Sequence, residues 1–349
     1  MAGTHSNTLA SIPVVSDSLI RYPQFNRLSE DIRTCQEMSR VSSEPQCMCL
    51  EGVTGAGKSM LVRDYAANYP TEWTDEGATI TVLYAEMPAP ATVKGVAAAM
   101  LERLGDPAAS KGTLWSMNSR LINLIVACKV QIVILDDFQH LIDSETARIR
   151  ETVSDWLKVL IKETGVPFLV IGMEGEVEPI LDSNKQLSRL FAFRDTLRPF
   201  VWENTAHTGI NDFVQFVAHA ERAVGVKLSP ECLGERREEG AMELLYRIHY
   251  ATEGVVGNVM NLMRLSALFA RQKKRSDIDL PILATAFEHR LAKHLKLPVN
   301  PFEVPIAQRF VAPLAAPVTV GGPATGQTRT KGRRKKAGGA SLRETLKTR

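Results

Sequence analysis

The chain holds 349 residues, 44% of them hydrophobic and 23% charged, ample for a packed core in one large domain or two moderate ones. Its net charge of +3 is divided: from Pro301 onward there are ten Lys/Arg and two Asp/Glu, a net of +8, so the first 300 residues carry 32 basic against 37 acidic groups, a net of −5, and any basic surface on the folded part must be a local patch. There is no run of eighteen apolar residues and no basic-then-apolar start, which argues against a membrane span or a secretory signal, and five cysteines without framework spacing (Cys35, Cys47, Cys49, Cys128, Cys232) point to reduced, buried thiols of a cytosolic protein.

In chain order, residues 1–45 read as a leader with a polar, Ser-rich start. Arg21-Tyr22-Pro23-Gln24-Phe25 then precedes a helical pattern carrying Leu28, Ile32, Cys35 and Met38. Cys47–Leu50 is a short apolar strand. It feeds Gly52-Val53-Thr54-Gly55-Ala56-Gly57-Lys58-Ser59, which fits G-x-x-x-x-G-K-[ST], the phosphate-binding P-loop. Glycines there let successive backbone N–H groups turn inward around a phosphate chain. Lys58 is placed to reach the β- and γ-phosphates and the Ser59 hydroxyl to ligate Mg²⁺. The helix running from Met60 to Ala67 adds a dipole that favours an anion. Gly52, Thr54, Gly55, Ala56, Gly57, Lys58, Ser59 and Met60 are therefore the expected nucleotide-binding residues, with ATP and Mg²⁺ as the expected ligands.

A strand at Thr79–Tyr84 and helices at Val93–Leu104 and Leu114–Cys128 follow. Gln131-Ile132-Val133-Ile134-Leu135-Asp136-Asp137 is a continuous apolar strand ending in two carboxylates. Such a strand is buried on both faces of a parallel sheet and delivers its carboxylates to the edge where the P-loop sits. Asp136 is expected to hold the Mg²⁺ water shell and Asp137 to sit beside the attacking water. A helix at Glu145–Glu163, a strand at Pro167–Ile171, a helix near Glu176–Leu181 and a short strand around Thr196–Trp202 close the unit. Strands separated by helices predict an α/β fold, a parallel sheet sandwiched by helices, over 46–205. From about Thr208 only helices are expected, at Ile210–Val224, Ala241–Thr252, Asn258–Arg271 and Leu280–Leu295, an all-helical subdomain over 206–300. The remainder, 301–349, is Pro-rich and carries the basic cluster Lys331, Arg333, Arg334, Lys335 and Lys336; it is expected to be disordered and to contact nucleic acid or an acidic partner.

Both nucleotide motifs followed by a helical lid resemble an AAA+ ATPase. The stretch Ile134-Leu135-Asp136-Asp137-Phe138-Gln139-His140-Leu141-Ile142 narrows this to a resemblance to the TniB/TnsC family, AAA+ regulators of DNA transposition. Leu104-Gly105-Asp106-Pro107, Lys111-Gly112-Thr113, Asn184 to Phe191 and Thr252 to Asn258 are similar to the same family. The resemblance spans roughly 20–297. It implies a bacterial, cytoplasmic, ATP-dependent protein that assembles as a ring or helical filament around double-stranded DNA. It further implies a link between a TniQ-type targeting protein and a DDE transposase, and some members work with CRISPR-guided complexes. By the same resemblance Arg189, with Arg194 as the alternative, acts in trans on a neighbour's nucleotide, and Lys94, Lys111, Thr113 and Arg120 contact DNA phosphates.

The chain departs from the family where Asp137 replaces the usual Glu, which predicts slow hydrolysis. It departs again where Glu174 is the only nearby polar residue in the sensor position after the Pro167–Ile171 strand. In the lid, Met260 stands where many AAA+ sequences have arginine, with Arg264 one turn on. Tyr22 and Phe25 fit an adenine contact or a core role equally. Competing readings are a replication initiator or helicase loader, a small-molecule kinase, and a nucleotide-binding platform without turnover.

Overall fold

α1 (Pro23–Val41) leads into β1 (Met48–Gly52) and α2 (Lys58–Ala67), and a hairpin of β2 (Glu72–Thr74) and β3 (Gly77–Thr79) precedes β4 (Val82–Glu86). α3 (Val93–Arg103), α4 (Leu114–Ala127), β5 (Ile132–Asp136), a 3-10 turn over Phe138–Ile142, α5 (Ala147–Thr164), β6 (Phe168–Met173), α6 (Glu178–Asp182), α7 (Lys185–Leu190) and β7 (Phe193–Leu197) complete the first half. This computed structural model describes residues 19–75, 77–87, 92–142, 147–203, 209–233, 237–306 and 308–313. The chain divides into Met1–Ala312 and Pro313–Arg349.

The main sheet has the order β4-β5-β6-β1-β7, every pairing parallel. Side chains alternate across it. Leu50, Ile134, Leu169 and Ile171 face a core shared with Leu28 and Ile32 of α1, while Cys49, Val133, Leu135 and Val170 face one shared with Met100, Leu121 and Leu157 of α3, α4 and α5. That period-two partition within runs wholly buried on both sides is what a doubly covered parallel sheet requires. All five cysteines are free and buried, and burial pushes the Cys35 thiol up to about 12. Among the described residues no helix is long and apolar enough to cross a membrane.

The second half is α8 (Ile210–Val224), β8 (Lys227–Leu228), α9 (Arg237–Thr252), α10 (Val256–Gln272), β9 (Asp277–Ile278), α11 (Leu280–Arg290) and α12 (Ala292–Leu295), with β8 and β9 paired in parallel. Helices dominate it as expected, but it is not all-helical: the two-residue strands β8 and β9 pair within it.

Several sequence expectations need correction. The last sheet strand ends at Leu197, not Trp202. Pro199 offers no N–H for a ladder, and Phe200 and Trp202 turn instead into an aromatic cluster with Phe213, Phe216, Tyr246 and His249. The single helix expected near Glu176–Leu181 is two short ones, the second capped by Asn184, whose carbonyl accepts from the Gln186 and Leu187 N–H groups. The leader helix is an integral layer: Leu28, Ile32 and Cys35 are fully buried. Tyr22 and Phe25 are buried too, Tyr22 packing on Phe200 and Phe216, so both have the core role. Residues 301–306 and 308–310 are not a loose tail. Phe302 and Phe310 are buried, and the fully buried Arg247 of α9 donates to the carbonyls of Pro301, Val304, Pro305 and Gln308. The basic cluster at 331–336 lies outside the described residues.

Candidate nucleotide site

The P-loop connects β1 to α2 at the carboxyl edge of the sheet, where ligands of open parallel sheets bind. Its turn rests on two left-handed glycines, Gly55 (φ +79) and Gly57 (φ +105). Gly52 is needed for another reason: a Cβ there would sit 2.6 Å from the Leu197 carbonyl oxygen of the neighbouring strand. Ala56 is buried under the loop, Thr54 is exposed with its hydroxyl on the Met173 sulfur (3.3 Å), and Met60 is half exposed on α2. The Lys58 ammonium donates to the Gly52 and Val53 carbonyls at 2.6 and 3.0 Å. Burial holds its pKa below the usual lysine range, opposed by the nearby Asp137 and Asp136 carboxylates.

β5 brings the two acids to the same edge. Asp136 is fully buried, and desolvation raises its pKa against the hydrogen bonds from Ser59 and Tyr84 that favour its charged form. The Tyr84 hydroxyl donates to Asp136 Oδ2 at 3.0 Å, and Tyr84 in turn accepts from Arg63 Nε at 3.1 Å. Burial pushes the Tyr84 phenol up to about 12, so it stays a donor. Ser59 and Asp136, one hydroxyl and one carboxylate already within hydrogen-bond reach of each other, form a sparse oxygen set. That suits Mg²⁺, which keeps several waters and binds through one or two carboxylates plus substrate phosphates. Asp137 follows in a left-handed conformation (φ +57), its own N–H donating to Asp136 Oδ1 at 3.0 Å and its Oδ1 accepting from Gln139 Nε2 at 3.1 Å.

Two features escaped the sequence reading. Glu51, the residue before the loop, is buried and its carboxylate accepts the N–H groups of Gly175, Val177 and Glu178 at 2.9, 2.9 and 3.0 Å. It thereby ties the P-loop strand to the turn that carries Glu174. The second is the lid. The Gly257 N–H, at the start of α10, donates to the Gly55 carbonyl at 2.8 Å, so a second helix N-terminus converges on the phosphate loop. A Cβ on Gly257 would lie 2.9 Å from that oxygen, and one on Gly254 would lie 2.0 Å from the Phe200 carbonyl. Gly257→Ala is expected to lift α10 from the loop at a cost on the order of 1–3 kcal/mol, read as faster amide exchange at the amino end of α10. Unchanged protection there would mean the loop yields to the methyl without loss. Met260 is buried one turn along α10 and brings no charge to the site.

Arg189 lies at the opposite edge. Leu190, beside it, accepts the Cys47 N–H at 2.9 Å, immediately before β1, whereas the P-loop lies beyond the far end of that strand. Five residues of strand span about 17 Å, so Arg189 cannot serve its own P-loop. Its Nη2 donates to both carboxylate oxygens of Glu44 at 2.8 and 2.9 Å, with the side chains 71% and 53% exposed, a contact worth about 0–1 kcal/mol and easily exchanged. Arg194 is committed internally, to Asp182, Ser188 and the Phe191 carbonyl.

Of the four residues expected on DNA, Lys94 and Arg120 sit on α3 and α4, which pack against each other, and Lys111 and Thr113 on the loop between them. Lys94 is exposed in the first turn of α3, and Lys111 is exposed just before α4. Thr113 caps α4, accepting the Ser116 N–H at 3.3 Å. Arg120 is held differently: Nε donates to Asp106 Oδ2 at 2.7 Å, and Nη2 donates to the Ala108 and Lys111 carbonyls at 3.0 Å each. It shapes the loop that presents Lys111.

Comparison with known proteins agrees with this fold. A family model described as the bacterial TniB protein matches residues 12–199. Among solved structures the chain is similar to Cdc6p from Pyrobaculum aerophilum, at 13% identity and TM-score 0.57, covering 82% of this chain and 73% of that one. It is also similar to the Aeropyrum pernix ORC2 protein in ADPNP–ADP complexes (13%, TM-score 0.54, 82% and 74%) and to the Aeropyrum pernix ORC1 protein in complex with DNA (15%, TM-score 0.51, 80% and 68%). At these identities the likeness is one of fold, that of AAA+ ATPases. No curated protein sequence matches the chain.

Proposed function

Because the chain belongs to the TniB family of AAA+ ATPases, we propose that it is an ATP-switched scaffold of DNA transposition. In this reading it oligomerises on double-stranded target DNA, as a ring or helical filament, and links a TniQ-type targeting protein to a DDE transposase. The observation that carries the reading is the split of the site across the sheet. The P-loop, Ser59, Asp136 and Asp137 occupy one edge and Arg189 the other, too far to meet in one chain. Subunits stacked edge to edge bring them together.

In the assembled site the P-loop backbone and Lys58 hold the phosphates, and Ser59 and Asp136 hold Mg²⁺, which when bound neutralises phosphate charge. Asp137 orients the attacking water and takes its proton. Arg189 of the next subunit stabilises charge on the γ-phosphate. Aspartate is one methylene shorter than glutamate, and a misplacement of about 1 Å can cost about 10²-fold in rate, so hydrolysis is slow and serves to disassemble the polymer. Lys94, Lys111 and Thr113 contact DNA phosphates, giving salt-sensitive, sequence-independent binding. Arg120 holds their loop.

Electron microscopy with double-stranded DNA and a non-hydrolysable ATP analogue tests the reading. Rings or filaments that need both ligands are expected, and a monomer indifferent to DNA would overturn it. Arg189→Ala is expected to lower DNA-stimulated hydrolysis by about 10³-fold with no shift in melting temperature. Arg194→Ala is expected to lower the melting temperature, since it breaks an internal network. If the two variants exchange these phenotypes, Arg194 is the trans arginine.

A further inference from the structure

Gln139 stands two residues beyond the second acidic residue, and both ends of its amide are engaged. Nε2 donates to Asp137 Oδ1 at 3.1 Å, and Oε1 accepts the Met173 N–H at 3.3 Å, at the carboxyl end of β6. A glutamine amide has a donor end and an acceptor end. Reversing this one would set a donor against the Met173 N–H and an acceptor against the carboxylate, so its orientation is determined by its partners. Space is reserved for it as well. A Cβ on Gly172 would lie 2.7 Å from Gln139 Oε1 and 2.4 Å from Val177 Cγ2, although Gly172 has ordinary backbone angles. The glycine therefore serves proximity, not backbone freedom.

Asp137 needs an external support. It leaves β5 in a left-handed conformation, in a turn closed by His140 N–H to the Asp137 carbonyl at 3.1 Å, and the side-chain bond given for it is the one from Gln139 to Oδ1. We propose that Gln139 is the positioning residue for Asp137: it holds Oδ1, leaves Oδ2 for the attacking water, and ties the carboxylate to the end of β6. The assignment rests on the ATPase reading above. The same β6 end carries the turn whose N–H groups Glu51 collects from the P-loop side. The catalytic carboxylate and the phosphate loop are thus braced against one backbone segment, Gln139 from one side and Glu51 from the other.

The test compares Gln139→Leu, Gln139→Glu and Gln139→Asn with the full-length protein on DNA. Leucine keeps the volume and loses both bonds, glutamate keeps the length and loses the donor, and asparagine is one methylene too short to span both partners. All three are expected to lower kcat by about 10–100-fold with KM for ATP within twofold. In hydrogen exchange, the Met173 amide is expected to lose protection in Gln139→Leu while Gly175, Val177 and Glu178 keep theirs. Glu51→Gln is expected to give the reverse pattern. Gln139→Leu with wild-type kcat, or with KM and kcat degraded together alongside a lowered melting temperature, would overturn the assignment. A wild-type protein that binds ATP but never hydrolyses it would instead overturn the ATPase reading, and the exchange pattern would still show whether Gln139 braces β6.

Discussion

Lys58→Ala is expected to weaken ATP binding by about a hundredfold and to abolish nucleotide-dependent assembly on DNA. The ammonium is almost entirely buried at the centre of the loop, where it now bonds to two loop carbonyls and faces the Asp136 and Asp137 carboxylates. Hydrogen bonds to charged groups contribute about 1.5–3 kcal/mol each, and removing the ammonium's bonds to the β- and γ-phosphate oxygens accounts for the hundredfold. Lys58→Arg is not a rescue, because the planar guanidinium is wider than the ammonium and cannot occupy the same point between loop and phosphate. Titration with a fluorescent ATP analogue checks the affinity, and microscopy of the same samples checks assembly. Undiminished affinity in Lys58→Ala, with a normal melting temperature, would place the nucleotide elsewhere and remove the P-loop reading.

The P-loop turn and the acidic strand end were legible in the sequence because their signals are local. Gly52 to Ser59 encode one turn, and the run Ile132–Asp136 encodes a doubly buried strand whose end must lie at the same sheet edge. The helices of the lid were legible from periodicity, whereas the two-residue β8–β9 pairing was not. What was hidden is what depends on non-local approach. Glu51 reads as an acid at a strand end until its three N–H partners at 175, 177 and 178 are brought beside it. Gly172, Gly254 and Gly257 read as ordinary glycines until the side chain or carbonyl that fills each missing Cβ is seen. Arg120 reads as a DNA phosphate contact by the family resemblance, and only the fold shows it tied to Asp106. The strand expected over Thr196–Trp202 overran its end at Leu197 because apolar content was taken for sheet, when Phe200 is buried and Trp202 half-buried against lid aromatics.

The strap formed by residues 301–306 and 308–310 shows how far composition can mislead, and its anchor carries the second large effect. Arg247 is fully buried. Its Nη1 donates to the Pro301 carbonyl at 3.0 Å and to that of Val304, its Nη2 to Pro305 and Gln308 at 3.4 Å each, and both Nε and Nη2 to Glu243 at 3.2 Å. Phe310 lies 5.6 Å from the guanidinium, and its N–H donates to the same Glu243 carboxylate. Proline-rich backbone supplies carbonyls with few N–H groups, so a buried cation is the complementary partner. Arg247→Met keeps the bulk but strands the Glu243 charge and several carbonyls. Breaking a buried pair costs about 3–5 kcal/mol. The strap can detach and regain water, which caps the loss at its own docking energy, and two exposed phenylalanines set that near 3 kcal/mol or more. The expected result is a melting temperature lowered by about 6–12 °C with proteolytic cleavage appearing inside the strap. Ending the chain at Asn300 is expected to destabilise the lid comparably, since Arg247 then lacks its acceptors, and Arg247→Met in that shortened chain is expected to cost far less than in the full one. Equal costs in the two backgrounds would show that Arg247 supports α9 alone and that the strap is a passenger.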